Sequence, residues 1–211
     1  MSRIEAIVSD FGGVLTTPLF EAFAHVQEAQ GIGMEALGKA MWRATQERGE
    51  NPLFPLERGE LTEAEFLAIV GAALRAEVGR DVTLDGFAEG WFARLRPNEP
   101  MIAHLRGLKE RRGLRLALLT NNVREWEERW RAMLPVDELF ELVVDSAFVG
   151  MRKPDPAIYE LTLDRLGLPA EACAFVDDLE VNCDTARALG MVTVRFEDTD
   201  QAIRDLEAVV G

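Results

Sequence analysis

Four short apolar runs, each followed by polar or charged groups, constrain the fold of this chain more than any other feature. Runs of this length and composition are typical of buried strands. They are residues 4–9 before Asp10, 114–119 before Thr120, 142–144 before the loop to Lys153, and 173–176 before Asp177 and Asp178. Ligands of an open parallel sheet bind outside the carboxyl ends of its strands, so these polar groups are expected to converge. Carboxylates, a hydroxyl and an ammonium in one place favour phosphoryl chemistry on a divalent cation.

The order of the predicted elements indicates the fold class. From Leu114 onward, β-rich runs alternate with amphipathic helices, which predicts an α/β, doubly wound (Rossmann-like) and mainly parallel sheet. One helix is predicted over residues 156–166, with Asp155 as its N-cap and Gly167 after its end. Further helices are predicted over residues 125–133 and 181–189.

Residues 17–96 show helical spacing and no clear strand, and they predict a helical cap inserted after the first strand. Thr62 and Glu65 have the spacing of a capping box at the start of one of its helices. The remaining residues, 1–16 and 97–211, are predicted to form the Rossmann-like catalytic core. Because the insertion leaves the sheet directly after Asp10, we expect it to cover the strand ends as a lid.

Composition excludes several classes of partner and site. The 211 residues are 48% hydrophobic, enough for an ordinary globular core, and carry a net charge of −14. That charge disfavours nucleic acid and anionic membranes, which attract Lys and Arg, and the N-terminus has no signal-peptide pattern. We therefore expect a cytoplasmic protein without nucleic-acid or membrane partners. Cys173 and Cys183 are predicted to be reduced, structural thiols.

Four segments of the chain resemble the motifs of a known hydrolase superfamily. They are VSDFGGVLTT, LLTNN, GMRKPDPAIY and AFVDDLEVNCDTARALGM. In order and spacing they resemble the haloacid dehalogenase superfamily, and most closely the phosphatase-type N-terminal domain of soluble epoxide hydrolases and their bacterial relatives. The resemblance implies a Mg²⁺-dependent phosphatase that hydrolyses a small phosphorylated metabolite through an aspartyl-phosphate.

The resemblance also implies a role for each motif residue. Asp10 is the expected nucleophile, and Lys153 is expected to contact both its carboxylate and a phosphoryl oxygen. The expected Mg²⁺ ligands are Asp10, the Gly12 carbonyl and Asp178, with Asp177 binding directly or through water. The Thr120 hydroxyl is expected to bind the phosphoryl group and is also predicted to be catalytic. The other expected phosphate-binding groups are the amide or backbone N–H of Asn121 and the glycines Gly12 and Gly13.

Gly12 departs from the pattern of most phosphatases in this superfamily. They place a second aspartate at this position, which protonates the leaving oxygen and then activates water, a contribution of about 10² to 10⁴-fold in rate. Catalysis is therefore expected to be slow or restricted to activated phosphates unless another group substitutes. Two alternatives stay open, a 2-haloacid dehalogenase-like hydrolase and a non-catalytic relative that binds phosphate or a partner.

The predicted cap offers three weaker candidates for substrate binding, Trp42, Arg43 and Arg48. An aromatic ring and two cations could meet an anionic substrate. The sequence does not specify which substrate that is, and it does not specify the oligomeric state.

Overall fold

The computed structural model describes residues 3–18 and 31–211, which contain one parallel five-stranded sheet. The strands are β1 (Ala6–Ser9), β2 (Arg115–Thr120), β3 (Leu142–Asp145), β4 (Cys173–Asp177) and β5 (Val192–Arg195). Their spatial order is β3-β2-β1-β4-β5, with every pair parallel. Both the predicted Rossmann-like sheet and its four predicted strands are confirmed.

Helices cover both faces of the sheet, which explains why the strands are continuous apolar runs. In β1, Ile7 packs into one hydrophobic cluster, whereas Ala6 and Val8 pack into the cluster on the opposite face. All four residues of β1 are buried. A strand buried on both faces has no need of polar alternation.

The register of the strands brings their carboxyl ends level. Ser9 of the central strand β1 lies beside Leu118 of β2 and Val176 of β4. After β1 the chain builds β2 and β3 on one side, and β4 then pairs on the other side of β1. Such a reversal of strand order opens a crevice at the carboxyl ends of the strands, and Asp10, the first residue after β1, lies at that point.

The described helices fall into a group before β2 and a group after it. They are α1 (Met34–Arg48), α2 (Leu53–Glu57), α3 (Glu63–Val78), α4 (Phe87–Arg94), α5 (Glu99–Arg112), α6 (Glu127–Arg131), α7 (Val136–Leu139), α8 (Ser146–Val149), α9 (Pro156–Leu166), α10 (Glu180–Ala188) and α11 (Thr199–Val210). Short 3₁₀ turns occupy Arg124–Trp126 and Ala170–Ala172.

Local capping signals located two helix starts correctly. The Asp155 side chain accepts a hydrogen bond from the Ala157 N–H at the start of α9, and Gly167 ends that helix with a φ of 64°. Thr62 and Glu65 form the predicted capping box of α3. The helix predicted over residues 125–133 is wrong at both ends, because this stretch begins with a 3₁₀ turn that ends at Trp126, and α6 ends at Arg131.

The helical segment between β1 and β2 leaves and rejoins the sheet at one place. The Thr17 N–H donates to the Arg96 carbonyl at 2.9 Å, and the Asn98 N–H donates to the Leu15 carbonyl at 2.8 Å. Residues 19–30 of the predicted cap lie outside the described residues. Among those described, no helix is both long enough and apolar enough to cross a membrane.

Aromatic side chains join this helical segment to the sheet. Trp126, which follows β2, packs on Phe87, Trp91 and Phe92 of the segment, with ring centroids 5.4 to 6.1 Å apart. Hydrophobic contacts thus run without a break from one face of the sheet into the segment.

Candidate active site

Lys153 lies at the electrostatic centre of the strand ends. Its ammonium is buried, and Nζ lies 2.8 Å from Oδ1 of Asp10 and 2.6 Å from Oδ2 of Asp177. Burial lowers the pKa of Lys153, but the two carboxylates outweigh it and hold the pKa above its usual value. The lysine is therefore charged, and it compensates two carboxylates at once.

Asp177 ends β4 and has both of its carboxylate oxygens engaged. Oδ1 accepts hydrogen bonds from the Leu179 N–H and the Asn182 side-chain amide, both at 2.9 Å, and Oδ2 accepts one from Lys153. The side chain is fully buried. Asp177 therefore orients the lysine from the protein interior.

Asp10, the first residue after β1, has an asymmetric environment. Its Oδ1 accepts from the Phe11 N–H at 2.7 Å and contacts Lys153, whereas no described residue donates a hydrogen bond to Oδ2. Burial, opposed by Lys153 and reinforced by Asp177, raises the pKa of the Asp10 carboxyl to about 7. A cation beside this carboxylate would favour the ionised form that a nucleophile needs.

Asp178 completes a group of three carboxylates that fits a hard cation. Asp10, Asp177 and Asp178 can each direct one oxygen to within 4.8 Å of the others. Asp178 is only half-buried, and its Oδ2 lies 2.6 Å from where a Cβ at Gly13 would stand, so Gly13 makes room for it. Three carboxylates with one lysine leave an excess of negative charge, and Mg²⁺ prefers such oxygen ligands. We call Asp10, Asp177, Asp178 and Lys153 the acidic floor.

Thr120 and Asn121 stand beside the acidic floor at the end of β2. The Asn121 side chain is tied to Lys153 by two hydrogen bonds, because its amide donates to the lysine carbonyl at 3.0 Å and its oxygen accepts the lysine N–H at 2.8 Å. Of the two groups expected from Asn121, the backbone N–H is therefore the freer donor for an anion. Thr120 is buried, and both residues line the same cavity.

That cavity, which we call the apolar chamber, has a volume of about 260 Å³ and lies between the strand ends and the helical segment. At the strand ends the chamber is lined by Gly12, Thr120 and Asn121. The rest of its lining includes Met41, Leu67, Val70, Trp91 and Trp126. Glu57 is the one ionisable side chain among its described lining residues. The chamber therefore presents polar groups at one end and hydrocarbon elsewhere.

The structure does not bring Trp42, Arg43 and Arg48 into this chamber. Helix α1 turns Leu37 and Met41 toward the chamber, whereas Trp42 is 66% exposed. Arg43 and Arg48 are exposed as well, and Arg43 lies 3.9 Å from Glu77.

Two residues beside the site escaped the sequence analysis. The Glu57 carboxylate, at the end of α2, forms an ion pair of 2.5 Å with Arg152, the residue before Lys153. Arg152 also stacks over the Phe54 ring at 4.1 Å. These partners are 95 positions apart in the chain, so no local pattern links them, and only the position of Arg152 next to Lys153 was a signal.

Comparison with known proteins assigns the family. Residues 4–190 match the family model of haloacid dehalogenase-like hydrolases, so the chain belongs to that family of hydrolases. It is 28% identical to bifunctional epoxide hydrolase 2 of Rattus norvegicus over 96% of the chain, which corresponds to 38% of the rat protein. It is 34% identical to the sesquiterpene phosphatase astK of Aspergillus oryzae over 56% of the chain and 59% of that protein. The predicted kinship with the epoxide hydrolase phosphatase domain is confirmed.

Solved structures show the same fold. The HAD family enzyme bt-2542 of Bacteroides thetaiotaomicron, in complex with magnesium and inorganic phosphate, has a TM-score of 0.67 at 23% identity and covers 92% of this chain and 96% of its own. The L-2-haloacid dehalogenase RSc1362 has a TM-score of 0.72 at 23% identity, with 99% of both chains covered. Magnesium thus occurs in a relative of this fold, and the acidic floor is compatible with it.

Proposed function

We propose that this protein is a Mg²⁺-dependent phosphatase that hydrolyses small phosphorylated metabolites through an aspartyl-phosphate on Asp10. The asymmetric Asp10 carboxylate carries the proposal. Phe11 and Lys153 hold Oδ1, which leaves Oδ2 as the oxygen that attacks phosphorus.

The other residues of the site stabilise the phosphoryl group during this attack. Lys153 is held rigidly by Asp177 and Asn121, so its charge is already in place before the substrate binds. Thr120 and Asn121 line the chamber at the same strand end, and we assign the Thr120 hydroxyl and the Asn121 backbone N–H as donors to the phosphoryl oxygens. Asp177 acts here as a positioning residue, because both of its oxygens are engaged.

Asp10, the Gly12 carbonyl and Asp178 would hold Mg²⁺, with Asp177 beside them. When bound, Mg²⁺ neutralises carboxylate charge and polarises the phosphoryl oxygens. The half-buried position of Asp178 over Gly13 and the full engagement of Asp177 favour Asp178 as the direct ligand of the pair.

The apolar chamber favours substrates whose organic group is a hydrocarbon rather than a sugar or nucleotide. A polyhydroxylated group would lose its hydration against Val70, Trp91 and Trp126 without gaining hydrogen bonds, which costs free energy. We further propose that residues 17–96 form a cap that encloses this group. The relative from Aspergillus oryzae, named a sesquiterpene phosphatase, is consistent with such a substrate.

A dehalogenase is the second candidate, since the fold is shared with L-2-haloacid dehalogenase RSc1362. Haloacid displacement needs no metal carboxylates, however, and the paired Asp177 and Asp178 therefore favour phosphate. A non-catalytic relative would bind phosphate without turning it over.

The test is phosphate release from a panel of phosphomonoesters, with Mg²⁺ and with a chelator. We expect turnover that requires Mg²⁺, and a loss on the order of 10⁴-fold in Asp10→Asn. Chloride release from 2-chloropropionate without divalent cations would instead identify a dehalogenase. Binding of phosphate with no turnover of any ester would identify a binding protein.

A further inference from the structure

The chamber lacks a carboxylate at Gly12, where most phosphatases of this superfamily carry their acid and base. A group that removes the proton of the attacking water is still needed to hydrolyse an aspartyl-phosphate efficiently. Glu57 is the one ionisable residue among the described residues that line the chamber, and it shares that lining with Gly12, Thr120 and Asn121.

Glu57 is held at two points from the sheet side. Its backbone carbonyl accepts a hydrogen bond from the Ser146 hydroxyl at 2.6 Å, and its Oε2 pairs with Nε of Arg152 at 2.5 Å. Ser146 in turn accepts the Asn122 N–H at 3.0 Å, two residues after Thr120. These contacts fix the Glu57 side chain relative to the strand ends.

The surroundings of Glu57 suit a base. Burial raises the pKa of its carboxyl, and Arg152 followed by Lys153 opposes the increase. Burial makes the carboxylate a stronger base, whereas the pairing with Arg152 makes it a weaker one. The ion pair engages Oε2 and leaves Oε1 available.

We propose that Glu57 is the general base for the second half of the reaction, a catalytic residue that takes the place of the aspartate missing at Gly12. Glu57 removes a proton from a water molecule in the chamber as the water oxygen attacks phosphorus. The bond between phosphorus and Asp10 then breaks, the Asp10 carboxylate is regenerated and phosphate leaves. Glu57 afterwards returns its proton to solvent. This proposal rests on the proposed phosphatase function.

A consequence for the first half of the reaction follows from the ion pair. In the proposed cycle Glu57 enters as the carboxylate of its ion pair with Arg152, a form that accepts a proton and has none for the leaving oxygen. The rate of the first step should therefore rise as the pKa of the leaving alcohol falls.

Glu57→Gln separates the two halves, because the amide keeps the size of the side chain but is not a base. With p-nitrophenyl phosphate and Mg²⁺, we expect a burst of about one nitrophenolate per enzyme, followed by a steady rate on the order of 10²-fold below wild type. Mass spectrometry of the quenched variant should detect the covalent phosphoryl adduct. A purely structural role would lower the burst and the steady rate together.

Glu60→Gln is the matched control, since Glu60 lies three residues after Glu57, is exposed and pairs with Arg58 rather than with Arg152. It should retain the wild-type burst and steady rate. Glu57→Asp is the second variant if Glu57→Gln does not fold, because it keeps the charge and withdraws the carboxylate by one methylene. It should give a normal burst and a reduced steady rate.

Gly12→Asp in the Glu57→Gln background tests whether the two positions are equivalent. Gly12 is not among the glycines with positive φ, so its backbone conformation does not require glycine. The double variant should regain turnover and lose the adduct. Glu57 variants with wild-type steady rates, or a burst and steady rate that fall in parallel, would overturn the role of Glu57 while leaving the phosphatase intact. A wild-type protein that hydrolyses no phosphate ester would instead overturn the proposed function.

Discussion

The acidic floor and the apolar chamber meet at Gly12 and Thr120, yet they are built in opposite ways. In the floor, Lys153 and Asp177 are fixed by hydrogen bonds from neighbouring strand ends and from α10. In the chamber, Val70, Trp91 and Trp126 are placed by hydrophobic packing between distant segments. Directional contacts define positions closely, whereas hydrophobic packing tolerates changes of shape.

Under the proposed function, this contrast predicts that chemistry and selectivity can be changed separately. A change in the floor removes a charge that other buried charges depend on. A change in the chamber should alter which organic group fits and leave the proposed phosphoryl site in place.

Lys153→Met should damage the floor in both stability and chemistry. It leaves the carboxylates of Asp10 and Asp177 buried without a cation, so we expect a loss of about 3–5 kcal/mol in the free energy of unfolding and no measurable turnover. Urea unfolding of the metal-free protein measures the first quantity.

Lys39→Met is the control for this lysine. Lys39 forms a surface pair with Glu35 at 2.8 Å, and its loss should leave the free energy of unfolding nearly unchanged, because solvent screens exposed ion pairs. Similar small losses in both variants would mean that the floor does not depend on its central charge.

Trp91→Ala should change selectivity in the chamber. Trp91 is 9% exposed and lines the cavity, so its removal should lower kcat/KM for a long-chain alkyl phosphate by up to about 10²-fold, with a much smaller effect on methyl phosphate. The ratio of the two kcat/KM values is the measurement.

Trp42→Ala matches this substitution on the exposed face of α1. Because Trp42 lies outside the chamber, the variant should keep the wild-type ratio. If the ratio of the two kcat/KM values changed in Trp42→Ala but not in Trp91→Ala, the substrate would bind near Trp42, as the sequence predicted, and not in the chamber.

The smallest effect concerns Asp145, which ends β3 as Asp177 ends β4. Its Oδ1 accepts the Ala147 N–H, but its buried Oδ2 has no hydrogen-bond partner among the described residues. Burial raises the pKa of Asp145 to about 6. Between about pH 4 and 6 the native state keeps a proton that the unfolded state has lost, so the free energy of unfolding should fall as pH rises.

In Asp145→Asn, the decrease in the free energy of unfolding between about pH 4 and 6 should be smaller by about 2 kcal/mol than in the wild type, as measured by urea unfolding across that pH range. Asp155→Asn changes the corresponding cap residue of α9 and controls for the loss of a cap charge. An unchanged pH dependence in Asp145→Asn would show that Asp145 ionises in the native state as freely as in water.

Much of the acidic floor and its neighbour Thr120 could be predicted because parallel strands align their carboxyl ends. Once the apolar runs were identified as strands, Asp10, Thr120 and Asp177 had to lie at one edge of the sheet. Local signals also sufficed at Asp155 and Thr62, where a side chain caps the helix that follows it.

Other features could not be predicted, because they depend on contacts between distant segments. Helical spacing did not indicate that Trp42 faces away while Met41 faces the chamber. The adjacent Asp177 and Asp178 are alike in sequence, and their different roles come from the hydrogen bonds that engage only Asp177.

Strand pattern and residue type act locally, so the sequence was sufficient to predict the Rossmann-like sheet, the gathering of carboxylates around Lys153 and the absence of an acid at Gly12. The hydrocarbon lining above this site and the position of Glu57 beside Arg152 are visible only in the folded chain. Those outcomes depend on how the helical segment packs against the strand ends, and that packing is a sum of many weak contacts between residues far apart in the chain.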